Sequence, residues 1–272
     1  VRTVLYLALI PIGAYVALVA LAYVFQHRLV FFPTSLLRAT PDAYGLAYED
    51  VSIATADGEM LHSWWIPHEQ ARGTVVFFHG NAGNISGRVG TARFFHAHTM
   101  HVLLVSYRGY GQSTGSPSED GLYRDADAAW QHLTEERGIA PASILIAGRS
   151  LGSAPATYLA AHTAPGGLLL ESAFTSLTDV GARAYPILPV RWLSRFDFDN
   201  AARIAQVNAP LLMIHSPDDE VVPYDLGRTL FAAASEPKTF VDIRGGHNAM
   251  RTDQSAYRQA VQAFIDEHWS RE

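Results

Sequence analysis

With 272 residues, 49% of them apolar and 17% charged, the chain has the size and composition of one large globular domain. A formal net charge of −6 without a basic cluster excludes a nucleic-acid surface built on phosphate neutralisation. The absence of cysteine removes disulfides, thiol nucleophiles and thiolate-held zinc.

The first predicted element is apolar. Residues 3–25 carry no charge and are mostly Leu, Val, Ala, Ile and Tyr. A helix of that length matches a bilayer's hydrocarbon core of about 30 Å. Residues 1–26 are therefore expected to be a single-pass transmembrane or signal-anchor helix, with Pro11 tolerated as a kink. The competing reading is a cleaved signal peptide ending near Ala20-Leu21-Ala22, which would make the mature protein secreted or periplasmic. Residues 27–44 read as a linker, and residues 45–272 as the folded domain.

Within that domain "LAYEDVSIAT" and "EMLHSWWIP" flank Asp57-Gly58, a hairpin signal. The runs "TVVFFH", "VLLVSY", "ILIAG", "GLLLES", "PLLMIH" and "KTFVDI" follow. The middle ones are apolar without alternation, as in parallel strands covered on both faces. Helical patterns fall at 119–137, 150–162, 224–233 and 252–268. The expected fold is α/β: a doubly wound sheet of about eight strands, antiparallel at its start and parallel afterwards. Ligands of such sheets bind beyond the carboxyl ends of the strands, so the loops there are searched first.

Those loops hold His79-Gly80-Asn81, Tyr107-Arg108-Gly109, Ser150 within "GRSLG", Asp218-Asp219-Glu220, and Gly246-His247. Serine, carboxylate and histidine in that order is the sequence order of a nucleophile-elbow hydrolase. A serine hydroxyl needs a base to become a nucleophile. His247 can accept its proton and return it to the leaving group, while a carboxylate fixes the imidazole tautomer. Gly148 and Gly152 permit the tight turn around Ser150. The backbone N–H groups of Asn81 and Leu151 are the expected oxyanion donors, Leu151 at a helix start.

The segments "HGNAGN", "YRGYGQS", "GRSLG", "SPDDEVVP" and "GGHN", with "FQHRLVFFP" before them, closely resemble the Bem46-like branch of the α/β-hydrolases. The resemblance implies that fold with a small cap and names Asp219, rather than Asp218, as the triad acid beside Ser150 and His247. The implied activity is carboxylic ester hydrolysis through an acyl-enzyme. Thioester cleavage (depalmitoylation), peptide cleavage, or a non-catalytic membrane-tethered interaction role are the alternatives. No cofactor and no metal are implied. The expected partners are a small or lipid-like acyl ester and a membrane, and the oligomeric state is left open.

Other features read as structural. Gly109-Tyr110-Gly111 has the wrong spacing for a dinucleotide loop, and "HGNAGN" lacks a Lys-Ser/Thr ending. His96, His98 and His101 fall away from the carboxyl ends and read as solvated surface. Glu171 and His215 end buried strands and read as supporting residues. The acids of "YRDADAAW" read as a helix's polar face. Residues 175–209 are longer than a plain α/β connection. They read as a cap over the serine carrying Tyr185, Ile187, Leu188, Trp192 and Phe196, each of which could equally be core.

Overall fold

The computed structural model describes residues 2–249 and 254–270, with side chains from Leu9 onward. The chain begins with helices α1 (Arg2–Val24) and α2 (Gln26–Val30), then a short strand β1 (Phe32–Pro33) and a 3₁₀ turn, Pro41–Tyr44. The Asp57-Gly58 hairpin joins β2 (Glu49–Ala54) to β3 (Met60–Ile66), paired antiparallel from Glu49–Trp65 to Ala54–Met60. Gly58 supplies the turn with φ of 89°. Next come β4 (Gly73–Phe78), β5 (Ala82–Gly83), α3 (Val89–Ala97), β6 (Met100–Val105), α4 (Glu119–Gln131) and β7 (Ile144–Arg149). The remainder is α5 (Ser153–His162), β8 (Gly167–Glu171), α6 (Leu177–Ala184), α7 (Val190–Leu193), α8 (Ala201–Ile204), β9 (Leu211–His215), α9 (Tyr224–Ala233), β10 (Lys238–Asp242) and α10 (Ser255–His268).

Eight strands form one sheet in the order β10-β9-β8-β7-β4-β6-β3-β2, antiparallel at the β6-β3-β2 edge and parallel elsewhere. The apolar runs behave as expected. On β4, Val76 and Phe78 enter one core layer, while Val75 and Phe77 enter the other. Helix α4 starts where Ser118 Oγ accepts from Gly121 N–H at 3.1 Å, with Glu119 and Asp120 in the first turn. It changes to a π turn over His132–Glu136 instead of continuing as α-helix. Of the last expected helix, 252 and 253 lie outside the described residues.

Two expectations about the N-terminal region need correction. Among the described residues no helix is long and apolar enough to cross a membrane. The anchor expectation over 1–26 also falls partly on side chains outside those described. Packing gives a physical reason: Tyr15 Oη donates to Ile187 O at 2.8 Å and Gln26 Nε2 donates to Leu193 O at 2.8 Å. The carboxyl half of α1 thus lies along residues 185–195.

The second correction concerns residues 27–44, which are folded onto the domain. Phe31 is buried, β1 pairs with β5, and Asn84 Nδ2 donates to Thr34 O and Leu36 O at 2.8 and 2.9 Å. The acids of "YRDADAAW" are not a uniform polar face either. Asp125 is fully buried and accepts from Arg108 N and Nε, both at 2.8 Å, while Arg108 grips Asp57 with its other two nitrogens. That network ties the loop after β6 to the β2–β3 turn and to α4.

Close packing between β4 and the turn after β7 generates the first prediction. A Cβ at Gly152 would lie 2.1 Å from the Phe78 carbonyl oxygen, a contact with backbone that no rotamer relieves. Gly152→Ala is therefore expected to cost at least about 1–3 kcal/mol in urea unfolding. Gly87→Ala, where nothing lies within 4 Å, is expected to change stability by less than about 0.5 kcal/mol. Equal effects of the two would contradict this packing.

Candidate active site

The turn after β7 places Ser150 in the left-handed region, φ 53°, at a strand-to-helix junction. A non-glycine residue there is strained by about 1–3 kcal/mol and is held only by its surroundings. Gly148 and Gly152 are the neighbours that allow it, through close approach and not through unusual dihedrals of their own. A Cβ on Gly148 would lie 2.4 Å from Gly152 O, and the one on Gly152 would meet Phe78 O. The serine is lifted off the sheet as a result.

The loop after β10 brings His247 to it. Ser150 Oγ donates to His247 Nε2 at 3.0 Å, and His247 Nδ1 donates to Asp219 Oδ2 and Oδ1 at 2.9 and 3.0 Å. Only an Nδ1–H tautomer fits, because a carboxylate has no proton to give. Asp219 Oδ1 also accepts from Val221 N and Val222 N at 3.0 and 2.8 Å, and Oδ2 from Ser172 Oγ at 2.5 Å. Burial alone would raise the Asp219 pKa. The imidazoles of His215 and His247, the Ser172 hydroxyl and the Val222 N–H outweigh it and hold the carboxylate well below its ordinary range. Asp218 turns elsewhere, accepting from Gly245 N at 3.2 Å.

Around this row the structure adds residues that the sequence did not single out. Glu220 accepts from His247 N at 2.9 Å, and Gly246 makes room for it, since a Cβ there would lie 2.4 Å from Glu220 Oε2. Arg149 donates to His247 O at 2.7 Å. Ser172, at φ 46°, ends β8 beside the serine's own strand and could have been found by reading every strand end for polar residues. Glu171 accepts from Tyr257 Oη at 2.7 Å, and His215 Nε2 lies 3.1 Å from Val222 O, the supporting places expected of both.

Asn81 and Leu151 line the cavity above Ser150. His79 Nδ1 donates to Gly80 O at 2.7 Å. In a trans peptide C=O and N–H point opposite ways, so this bond also fixes the direction of the Asn81 N–H. His79 is fully buried, and desolvation, helped by the charge of Arg88, pushes its pKa down to about 3.

The cavity holds about 370 Å³. Leu177, Val180, Tyr185, Leu188, Val190 and Leu193 from residues 175–209 supply one side of it. Of the five apolar residues expected in a cap, Tyr185 and Leu188 line the cavity. Ile187 and Trp192 are exposed, and Phe196 packs edge-on against Phe31 with centroids 5.3 Å apart. The histidines 96, 98 and 101 are half-buried and bonded to Pro67 O, Phe94 O and His68 N respectively. Among the described residues no group of His, Asp and Glu is placed to hold a metal ion.

A serine on a strained turn, facing a histidine beyond the carboxyl edge of a mostly parallel sheet, defines the α/β-hydrolase class. Residues 69–197 match the family described as "Serine aminopeptidase, S33". Over 76% of its length the chain is 33% identical to the protein bem46 of Schizosaccharomyces pombe, covering 75% of that protein. It is 40% identical to the uncharacterised protein Rv2307c of Mycobacterium tuberculosis over 95% of both chains. With the uncharacterised membrane protein YNL320W of Saccharomyces cerevisiae it shares 33% identity over 94% of this chain and 95% of that one. Among solved structures, the Pyrococcus furiosus esterase Pf2001 superposes with a TM-score of 0.73 at 20% identity, over 88% of this chain and 100% of that one. The chain belongs to the Bem46-like α/β-hydrolases, and is a hydrolase.

The buried His79 sets a pH dependence. Its folded pKa, about 3, lies below the ordinary 6.5, so the unfolded chain binds a proton that the folded one refuses. His79's contribution is full above pH 6.5 and falls as pH drops through the window toward 3, by up to roughly 1 kcal/mol per pH unit. Stability of wild type relative to His79→Asn, measured by urea unfolding from pH 7.5 to 4.5, is expected to shrink on acidification. A constant difference would show that residue 79 is not a buried neutral imidazole.

Proposed function

We propose that the chain is a serine ester hydrolase working through Ser150, His247 and Asp219. The observation that carries this reading is the unbroken row of hydroxyl, imidazole and carboxylate at hydrogen-bond distances, ending in an apolar cavity. Ser150 Oγ attacks the ester carbonyl while His247 Nε2 takes its proton. The N–H groups of Asn81 and Leu151 hold the oxyanion that forms. Collapse breaks the bond to the alcohol, which leaves with the proton from His247. Water, deprotonated by the same imidazole, then attacks the acyl-enzyme and releases the acid and free Ser150. Asp219 stays ionised and stabilises the imidazolium in both halves.

An ester fits the cavity better than a peptide amino terminus, despite the name of the matching family. The lining is mostly apolar, from Leu29, Val30, Phe174, Leu177, Val180 and Leu188, which suits an acyl chain better than an α-ammonium group. A thioester presents the same acyl group to the same wall and is the second reading that this lining favours. The site works at a bilayer surface: Ile10, Ile12, Val16 and Val24 of α1 each expose more than half of their area. A yeast relative named a membrane protein supports that placement.

Labelling with a fluorophosphonate tests the reading. Wild type is expected to label and Ser150→Ala to remain unlabelled. Asp219→Asn is expected to lower kcat on p-nitrophenyl butyrate by roughly 10³–10⁴, because the wrong imidazole tautomer is then favoured. Folded wild type that neither labels nor cleaves any ester would leave the non-catalytic interaction role as the correct one.

A further inference from the structure

The side of the cavity left open by the sheet and by residues 175–209 is closed by the start of the chain. Ala22 and Tyr23 at the end of α1, and Gln26, Leu29 and Val30 of α2, line the same space as Ser150. These helices are fixed there. Gln26 bonds in both directions, donating to Leu193 O and accepting from Arg195 N, each at 2.8 Å. His27 Nε2 donates to Pro117 O at 2.8 Å, and its ring lies 5.1 Å from that of Phe31. Further along α1, the Tyr15 bond to Ile187 O holds the helix roughly 13 Å from its carboxyl end. A flexible tether would not need these bonds.

The apolar surround of the cavity is continuous with the exposed face of α1. Ile187 and Trp192, 69% and 89% exposed, sit on the segment to which α1 is bonded, and Leu29 is itself 50% exposed. Apolar side chains of α1 and α2 thus occur both on the solvent-facing patch and in the wall of the cavity that holds Ser150. Such a patch is costly in water and favourable in a lipid layer.

We propose that α1 and α2 form one wall of the acyl-binding site, and that the substrate is a long-chain acyl ester resident in a lipid layer. Its chain lies between α2 and α6 with the carbonyl at Ser150. This rests on the serine-hydrolase reading and adds a specificity role for the amino-terminal helices. The chain enters along the α1 face, so membrane contact and substrate selection use the same apolar surface. Each methylene that the wall covers is expected to raise kcat/KM by roughly fourfold.

The test uses the full chain in mixed detergent micelles with p-nitrophenyl acetate, butyrate, octanoate and dodecanoate. Wild type is expected to favour the longer chains. Ala22→Trp narrows the cavity from α1 and is expected to lower kcat/KM on dodecanoate at least tenfold while leaving acetate within about twofold. Leu29→Trp repeats the measurement from α2 at a half-exposed position that tolerates bulk. Ala263→Trp, an exposed position on α10 that does not line the cavity, is expected to keep the wild-type profile. Fluorophosphonate labelling of Ser150 is read in every variant. Normal labelling with an unchanged chain-length profile in Ala22→Trp and Leu29→Trp overturns the wall and leaves the hydrolase standing. Wild type without labelling or turnover overturns both.

Discussion

The site depends on a contact between backbones. β4 and β7 run parallel with Phe78 opposite Gly148, and the turn after β7 folds back so tightly that Gly152 touches the Phe78 carbonyl. Only the absence of side chains at 148 and 152 permits that approach. The return leg of the turn then forces Ser150 to φ 53°. A regular strand or helix would point this side chain into the sheet or along the helix. The left-handed residue projects it instead toward the loops that follow β9 and β10. Core packing on both faces of the sheet sustains the strain, so the geometry of the site and the stability of the fold share their support.

Polar residues complete what the turn begins, and each is held from several sides. Asp219 sits beneath His247 at a cost in desolvation, offset by two backbone N–H groups, Ser172 and the imidazoles of His215 and His247. Ser172 reaches Asp219 because it too adopts a left-handed conformation, φ 46°, at the end of the adjacent strand. His79, at the end of β4, fixes the Gly80–Asn81 peptide from below. Two neighbouring strand ends, those of β7 and β8, thus carry a left-handed residue, and His79 after β4 orders the loop beside them.

Much of this was legible beforehand. Unalternating apolar runs marked the parallel strands, Asp57-Gly58 marked the hairpin, and the strand ends delivered Ser150, Asp219 and His247 in usable order. What escaped were polar groups whose meaning lies in a distant partner. Asp125 looks like any acid on a helix until Arg108 is brought to it from the loop after β6. Glu220 is one of three adjacent acids until Gly246 lets it reach a backbone N–H. Periodicity records which face is buried on average, and a single buried charge with a partner across the fold leaves no trace in it.

The amino-terminal helix shows the same limit from the apolar side. Hydropathy measures the gain on leaving water and is indifferent to what replaces the water. By hydropathy alone residues 3–25 suit a bilayer, yet Tyr15 bonds to the domain and Ala22 and Tyr23 border the cavity. A helix that covered its whole circumference with lipid could not also close a cavity. A helix packed wholly into the domain would leave no apolar face exposed. α1 does some of each, and this division makes one short segment answer both to the solvent outside and to the cavity within.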